Sequence, residues 1–146
     1  LAPTVSAIVV LDGEGGRIAA KYYAKELVDF KTQSAFEKRL YQKTSRSNAR
    51  IDGLVGWNHW IVADVVLFEN YVITYKFISD AYFYVLGPQD ENELILSSVL
   101  SALEEVMTNL LRSQVSKKIL IDNYDLLLLA LDEIVDDGYA SRFTYP

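Results

Sequence analysis

Cysteine is missing from the 146-residue sequence altogether. Disulfides, thiolate metal sites and cysteine nucleophiles are thereby excluded together, and a cytosolic setting is consistent with that lack. Histidine occurs once, at His59, so no histidine-rich metal site can form, and a Ser/His/Asp triad would hang on this one side chain. Proline (3) and glycine (7) are scarce, unlike in collagen-like or low-complexity chains. Positive charge is in deficit: 14 Lys and Arg against 20 Asp and Glu leave a net charge of −6. Proteins that live on phosphate contacts usually carry the opposite sign, so no nucleic acid is expected as partner. A clean run of about 20 apolar residues is absent too. The most apolar stretches, 71–86 and 119–131, are interrupted by Lys76, Asp80, Asp122 and Asp125. Residues 1–5 show no basic n-region, and Leu1 in place of Met is read as a chain lacking its true beginning.

What is present is ample material for a core. Hydrophobic residues make up 51% and charged residues 23%, and a chain of this length buries roughly two thirds of its unfolded surface. The reading is one domain over residues 1–146. Residues 5–11 are nearly all apolar and β-branched, 12–16 read as a turn, and 17–23 return as a second strand. Ser34 and Glu37 have capping-box spacing before a helix with Phe36, Leu40 and Tyr41 on its apolar side, and 43–50 reads as a polar, basic connection. A meander follows: strands at 65–68, 71–78 and 81–86, with turns at Glu69-Asn70 and Ser79-Asp80. Asp90 and Glu93 suggest the next helix start, with Ile95, Val99, Leu103, Val106 and Leu110 at helical spacing. Asp122 is the expected N-cap of a final helix that Gly138 ends. Strands in blocks separated by helices argue for an α+β fold with an antiparallel sheet.

The chemistry-bearing residues each have a plainer explanation. Gly13-Glu14-Gly15-Gly16 follows a strand, but Arg17 opens a second strand where a phosphate loop needs a Lys, a hydroxyl and a helix, so a hairpin turn is expected. Asp132, Glu133, Asp136 and Asp137 string out along a helix rather than converging as hard-cation ligands do; a solvated face, or one that meets a basic partner, is expected. Asp122 and Asp125 fit a helix start as well as an acid/base pair. His59 sits between Trp57 and Trp60 and reads as a packed side chain. Lys38, Arg39, Lys43, Arg46 and Arg50 form a basic strip, read as an exposed helix face that an acidic neighbour or an anionic membrane could attract. No catalytic residues, cofactor loop or metal cluster emerge. The tyrosines (10 in all) alternate along the strands, so both sheet faces carry rings or large apolar groups, and any ring left uncovered marks a partner interface.

Several runs in order resemble the zeta-subunit family of coatomer. They are Ala7-Ile8-Val9-Val10-Leu11-Asp12, Ala20-Lys21-Tyr22-Tyr23, Phe36-Glu37-Lys38, Tyr71-Val72-Ile73-Thr74-Tyr75-Lys76, Tyr82-Phe83-Tyr84-Val85-Leu86-Gly87, Glu91-Asn92-Glu93-Leu94, Asn123-Tyr124-Asp125-Leu126 and Leu131-Asp132-Glu133-Ile134-Val135-Asp136-Asp137-Gly138. The chain is also similar, more distantly, to the sigma small chains of clathrin adaptors. The resemblance implies a longin-like (SNARE-like) fold, a five-stranded antiparallel sheet with one helix on one face and two on the other. It implies a non-catalytic small subunit of the COPI coat without cofactors, embraced by the helical gamma subunit. That complex is cytosolic and is recruited by the GTP-bound Arf GTPase, which makes the chain peripheral on Golgi membranes and COPI vesicles. Such a role needs a large, partly apolar interface, for which Tyr22, Tyr23, Phe36, Leu40, Tyr82, Tyr84 and Leu94 are the expected partner residues. The alternatives are a sigma-type small chain or the longin regulatory domain of a membrane-fusion protein. The family passes from the basic connection almost directly to the strand near 64–68, so 50–63 is read as an insertion. Residues 139–146 depart from the family's continuation as well.

Overall fold

The computed structural model describes residues 3–51, 63–112 and 115–141, the side chains of 46–51 excepted. The expected insertion at 50–63, with Trp57, His59 and Trp60, lies outside the described residues but for its ends. Strands β1 (Ala7–Asp12), β2 (Arg17–Tyr22), β3 (Asp64–Phe68), β4 (Tyr71–Ile78) and β5 (Ala81–Pro88) form one antiparallel sheet in the order β2-β1-β5-β4-β3. Glu69 and Asn70, with φ of 48° and 71°, make the tight β3–β4 turn, whose left-handed residues match the twist of paired strands.

Side chains alternate across this sheet. Val9, Leu11, Ile73, Tyr75, Tyr82 and Tyr84 point to one face, where helix α1 (Phe30–Ile51) lays Phe36 and Leu40 over them. Ile8, Val10, Val72, Phe83 and Val85 point to the other. There helices α2 (Glu93–Leu111), α3 (Lys117–Asp122) and α4 (Tyr124–Ile134) close the core with Leu96, Leu103, Leu120, Leu127 and Leu131. The α+β longin-like expectation holds, with the second layer made of two longer helices and one short one. Helix α2 has the length and apolarity of a membrane span. Its Leu96, Val99, Leu100, Leu103 and Met107 are buried in the core, the arrangement of a helix that lays one apolar face on a sheet.

Helix boundaries differ from the sequence reading in five places. Helix α1 starts a turn earlier than Ser34, because Asp29 accepts the Thr32 N–H at 3.1 Å; Glu37 is thereby free for another role. It then runs through the supposed connection at 43–50: no Pro or Gly stops it, and polarity alone does not end a helix. The α2 cap is Asn92, which accepts the Leu94 N–H at 2.8 Å, rather than Asp90. A short helix, α3, precedes the expected last one. Ser116 caps α3, and at Asn123 the chain leaves helical geometry while the Asn123 amide donates to the Ile119 carbonyl at 2.9 Å, a local side-chain bond that competes with helix continuation. Asp122 therefore ends α3 instead of starting α4.

Gly138 does not end a helix either. Asp137 and Gly138, with φ of 49° and 84°, turn a small hairpin between β6 (Val135–Asp136) and β7 (Tyr139–Ala140). A side chain at Gly138 would meet Tyr23 at 3.2 Å. Val5 N–H donates to the Gly138 carbonyl (2.7 Å) and Ala140 N–H to the Pro3 carbonyl (2.9 Å), so this hairpin clasps the segment leading into β1.

Candidate partner-binding surface

The glycine turn between β1 and β2 already carries its own anion. The Asp12 carboxylate accepts the Glu14 and Gly16 N–H groups at 2.8 and 2.9 Å and meets Lys117 at 3.0 Å. Burial pushes the Asp12 pKa up, but the Lys117 and backbone hydrogen bonds outweigh it and hold the group below its ordinary value. The turn's donors thus face an internal carboxylate where a phosphate loop would face its ligand. Gly15, at φ 89°, lies under the Tyr41 ring, whose hydroxyl donates to the Gly13 carbonyl at 2.6 Å. The turn is a packing contact with α1.

The acidic residues do not converge. Among the described residues no group of three or more His, Asp or Glu side chains could hold a metal ion. Asp132, Glu133, Asp136 and Asp137 rim an open depression together with Tyr139. Asp122 lines a second one with Asp80, Lys117, Lys118 and Ile121, which Asp125 does not reach. His59 lies outside the described residues.

Of the seven residues expected at a partner surface, four are covered by the chain's own helix. Phe36, Leu40, Tyr82 and Tyr84 are buried beneath or within α1. Tyr84 stacks on Tyr75 and Tyr82 with ring centroids 5.6 and 5.9 Å away, and Phe36 meets Tyr71 edge-on at 5.8 Å. Thr44 Oγ1 donates to the Leu40 carbonyl (3.0 Å), which leaves the Tyr84 hydroxyl as donor across their 2.7 Å contact. Removal from water pushes the Tyr84 pKa well above the ordinary tyrosine value. These rings are internal because a single helix must cover a whole sheet face, and large planar side chains fill that space.

Tyr22 and Tyr23 are half-buried. The Tyr22 hydroxyl donates to Glu37 Oε2 at 2.7 Å, and the same carboxylate takes the Arg17 guanidinium through both Nε and Nη2. Burial, then the Glu37 bond, raises the Tyr22 pKa far above its usual value. Burial also pushes Tyr23 up to about 12, assisted by Asp132, Asp136 and Asp137. Leu94 alone of the seven is openly exposed, at 72%. In the basic strip, Arg39 is held by Glu69 at 2.7 and 2.9 Å while Lys38 and Lys43 are exposed; the side chains of Arg46 and Arg50 lie outside the described residues.

The free apolar surface lies elsewhere. Val28 and Phe30 stand out at the start of α1, Val65 and Leu67 on the edge strand β3, and Ile121, Tyr124, Leu126 and Leu129 along α3 and α4. The sequence reading missed the last group, although the signal was present. Four consecutive leucines, 126–129, sweep about 300° around a helix axis, so they cannot all face one core. Leu127 is buried and Leu129 is 57% exposed.

A family model for the clathrin adaptor complex small chain matches residues 4–142. Coatomer subunit zeta-1 of Arabidopsis thaliana is 44% identical to this chain over 138 residues, covering 94% of it and 72% of the relative. Coatomer subunit zeta-3 of Oryza sativa subsp. japonica is 42% identical over 136 residues (93% and 71%), and the human coatomer subunit zeta-1 is 40% identical over 135 (92% and 68%). Among structures, a chain of a homology model of the full-length AP-3 complex in a stretched open conformation superposes with a TM-score of 0.65 at 22% identity, over 93% of this chain and 83% of that one. A Roadblock/LC7 domain from Streptomyces avermitilis gives 0.52 at 15% identity, over 77% and 89%. The last two likenesses concern the fold.

Proposed function

This chain belongs to the clathrin adaptor small-chain family, on its coatomer zeta branch, and from that premise we propose that it works as the non-catalytic small subunit of the COPI coat. Its partner in this reading is the gamma subunit, whose helical trunk surrounds it. Arf GTPase and the rest of coatomer are reached through that complex, which makes the chain peripheral on Golgi membranes and COPI vesicles in Golgi-to-ER and intra-Golgi transport. It catalyses no reaction; it fills and stiffens the trunk.

The observation that carries this reading is the apolar exterior left once both sheet faces have closed. Leu67, Leu94 and Leu129 are each more than half exposed although the cores on both faces are complete without them. Scattered apolar side chains are ordinary, but apolar groups on an edge strand, a helix start and a helix flank suit a chain that is enclosed from several sides. A permanent interface of that kind resembles a bisected core. Leu94, with the accessible parts of Tyr22 and Tyr23, stays in the proposed contact surface; Phe36, Leu40, Tyr82 and Tyr84 support it from beneath. Co-expression with the gamma subunit tests the assignment. Co-purification in one gel-filtration peak is expected, and two folded chains that elute apart would overturn it.

A further inference from the structure

The outward side of α3 and α4 joins apolar and acidic groups in one stripe. Ile121 is 51% exposed and Leu129 57%, with Leu126 beside it at 36%. Within α4, Leu126 and Leu129 are three residues apart; Asp125 and Glu133 each stand four residues from Leu129. Such spacings make them neighbours on one helix face. Where α4 ends, the β6–β7 hairpin brings Asp136, Asp137 and Tyr139 next to Asp132 and Glu133 around the open depression. No Lys or Arg occurs from residue 119 to 141. Lys21 approaches this rim, 3.2 Å from Asp132, in a solvent-exposed pair. The chain's own core uses the other side of the helix, through Leu127, Ala130, Leu131 and Ile134. Lys117 and Lys118 stand beside Ile121 at the α3 end, so the acidic part of the stripe is that of α4, an apolar strip of Leu126 and Leu129 with carboxylates at both ends.

We propose that this stripe docks a basic amphipathic helix of the large coat subunit, its apolar side on Leu126 and Leu129 and its Lys or Arg side chains against Asp125 at one end and Asp132 and Glu133 at the other. This rests on the reading that the chain is enclosed by a larger helical subunit; it adds which face is used and what chemistry must meet it. Asp125 and Glu133 lie about 12 Å apart along the axis at 1.5 Å per residue, so the partner helix presents two basic positions separated by about two turns, with apolar residues between. A helix laid along a helix matches that spacing by ridge-and-groove packing. Exposed carboxylates contribute mostly to encounter rate and partner choice, whereas the desolvated leucines set the lifetime. A second copy of this chain is a poor occupant, since its own stripe is equally acidic.

The test measures binding to the gamma subunit for the wild-type chain and two variants. One is Leu126→Asp/Leu129→Asp; the other, Asp125→Asn/Asp132→Asn/Glu133→Gln, keeps side-chain shape. All substituted positions are exposed, and a thermal melt on each free chain checks that it is folded. The leucine variant is expected to weaken binding at least tenfold, mainly through faster dissociation. The neutral variant is expected to slow association and flatten its salt dependence, and it serves as the deciding arm if the leucine variant misfolds. Wild-type chain that fails to bind would overturn the coat reading itself. Wild-type binding with both variants unchanged in affinity and salt response would overturn the stripe alone, as would a wild-type homodimer that the variants abolish.

Discussion

The two faces of the sheet solve the same covering problem with different side chains. Under α1 the strands present Tyr75, Tyr82 and Tyr84, and the helix is fastened by polar contacts: Glu37 to Arg17 and Tyr22, Thr44 to Tyr84, Tyr41 to the Gly13 carbonyl. Under α2 and α4 the filling is aliphatic apart from Phe83, with Leu96, Val99, Leu103, Leu127 and Leu131 against Ile8, Val10 and Val85. Paired helices can interdigitate over strands with branched side chains. A lone helix spans a face only if rings reach out to meet it, and each ring brings a hydroxyl that must find an acceptor. The aliphatic face should therefore fail by cavity formation and the ring face by loss of a polar partner.

The largest expected effect lies on the aliphatic face. Leu103 is fully buried at its centre, and Leu103→Ala should cost about 2–5 kcal/mol, read from urea unfolding of the purified chain. A cost below that range would mean the face can collapse around the gap, and the comparison would weaken. On the ring face, Glu37→Ala leaves the Arg17 guanidinium and the Tyr22 hydroxyl without their shared acceptor. A loss of about 2–3 kcal/mol is expected, as for hydrogen bonds to a charged group, with Glu37→Gln in between. Equal stability of Ala and Gln variants would show that the polar fastening contributes nothing.

A smaller effect of opposite sign is expected at Thr74. Its hydroxyl is buried on the aliphatic face with no hydrogen-bond partner among the described residues. Thr74→Val should raise stability by about 1 kcal/mol, because an unmet polar group is replaced by an isosteric apolar one; a drop would reveal a partner for the hydroxyl. The smallest effect is a pH response at Asp12. Its pKa is lower in the folded chain than the unfolded value near 3.9. The carboxylate therefore adds stability above that value, and the contribution fades as pH falls through the folded pKa. Wild type and Asp12→Asn should differ in urea midpoint at neutral pH and converge in acid. A gap that widened on acidification would reverse the sign.

Much of this architecture was legible in the residues. Runs of β-branched and aromatic residues bounded by turns placed β4 at 71–78 and the neighbouring strands within a residue or two, because a strand covered on both faces is apolar almost throughout. Helix ends were less legible. Ser34 and Asp90 carry the right side chains for caps, yet Asp29 and Asn92 do the capping; suitable oxygens are common, and packing decides which one is used. The contact surface was the least legible part. Tyr82 and Tyr84 stand out as rings, but whether a ring is internal depends on which helix lands above it, and alternation along a strand does not say. Leu129, in an unbroken apolar run, drew no attention although its angular position pointed it outward.

In the proposed assembly the apolar exterior is the inner half of a lasting interface with the gamma trunk. Light scattering on the co-purified pair, diluted to nanomolar concentration, tests it most directly. A single species with the mass of one chain of each is predicted to persist, and dissociation into two folded, separate chains would contradict the account.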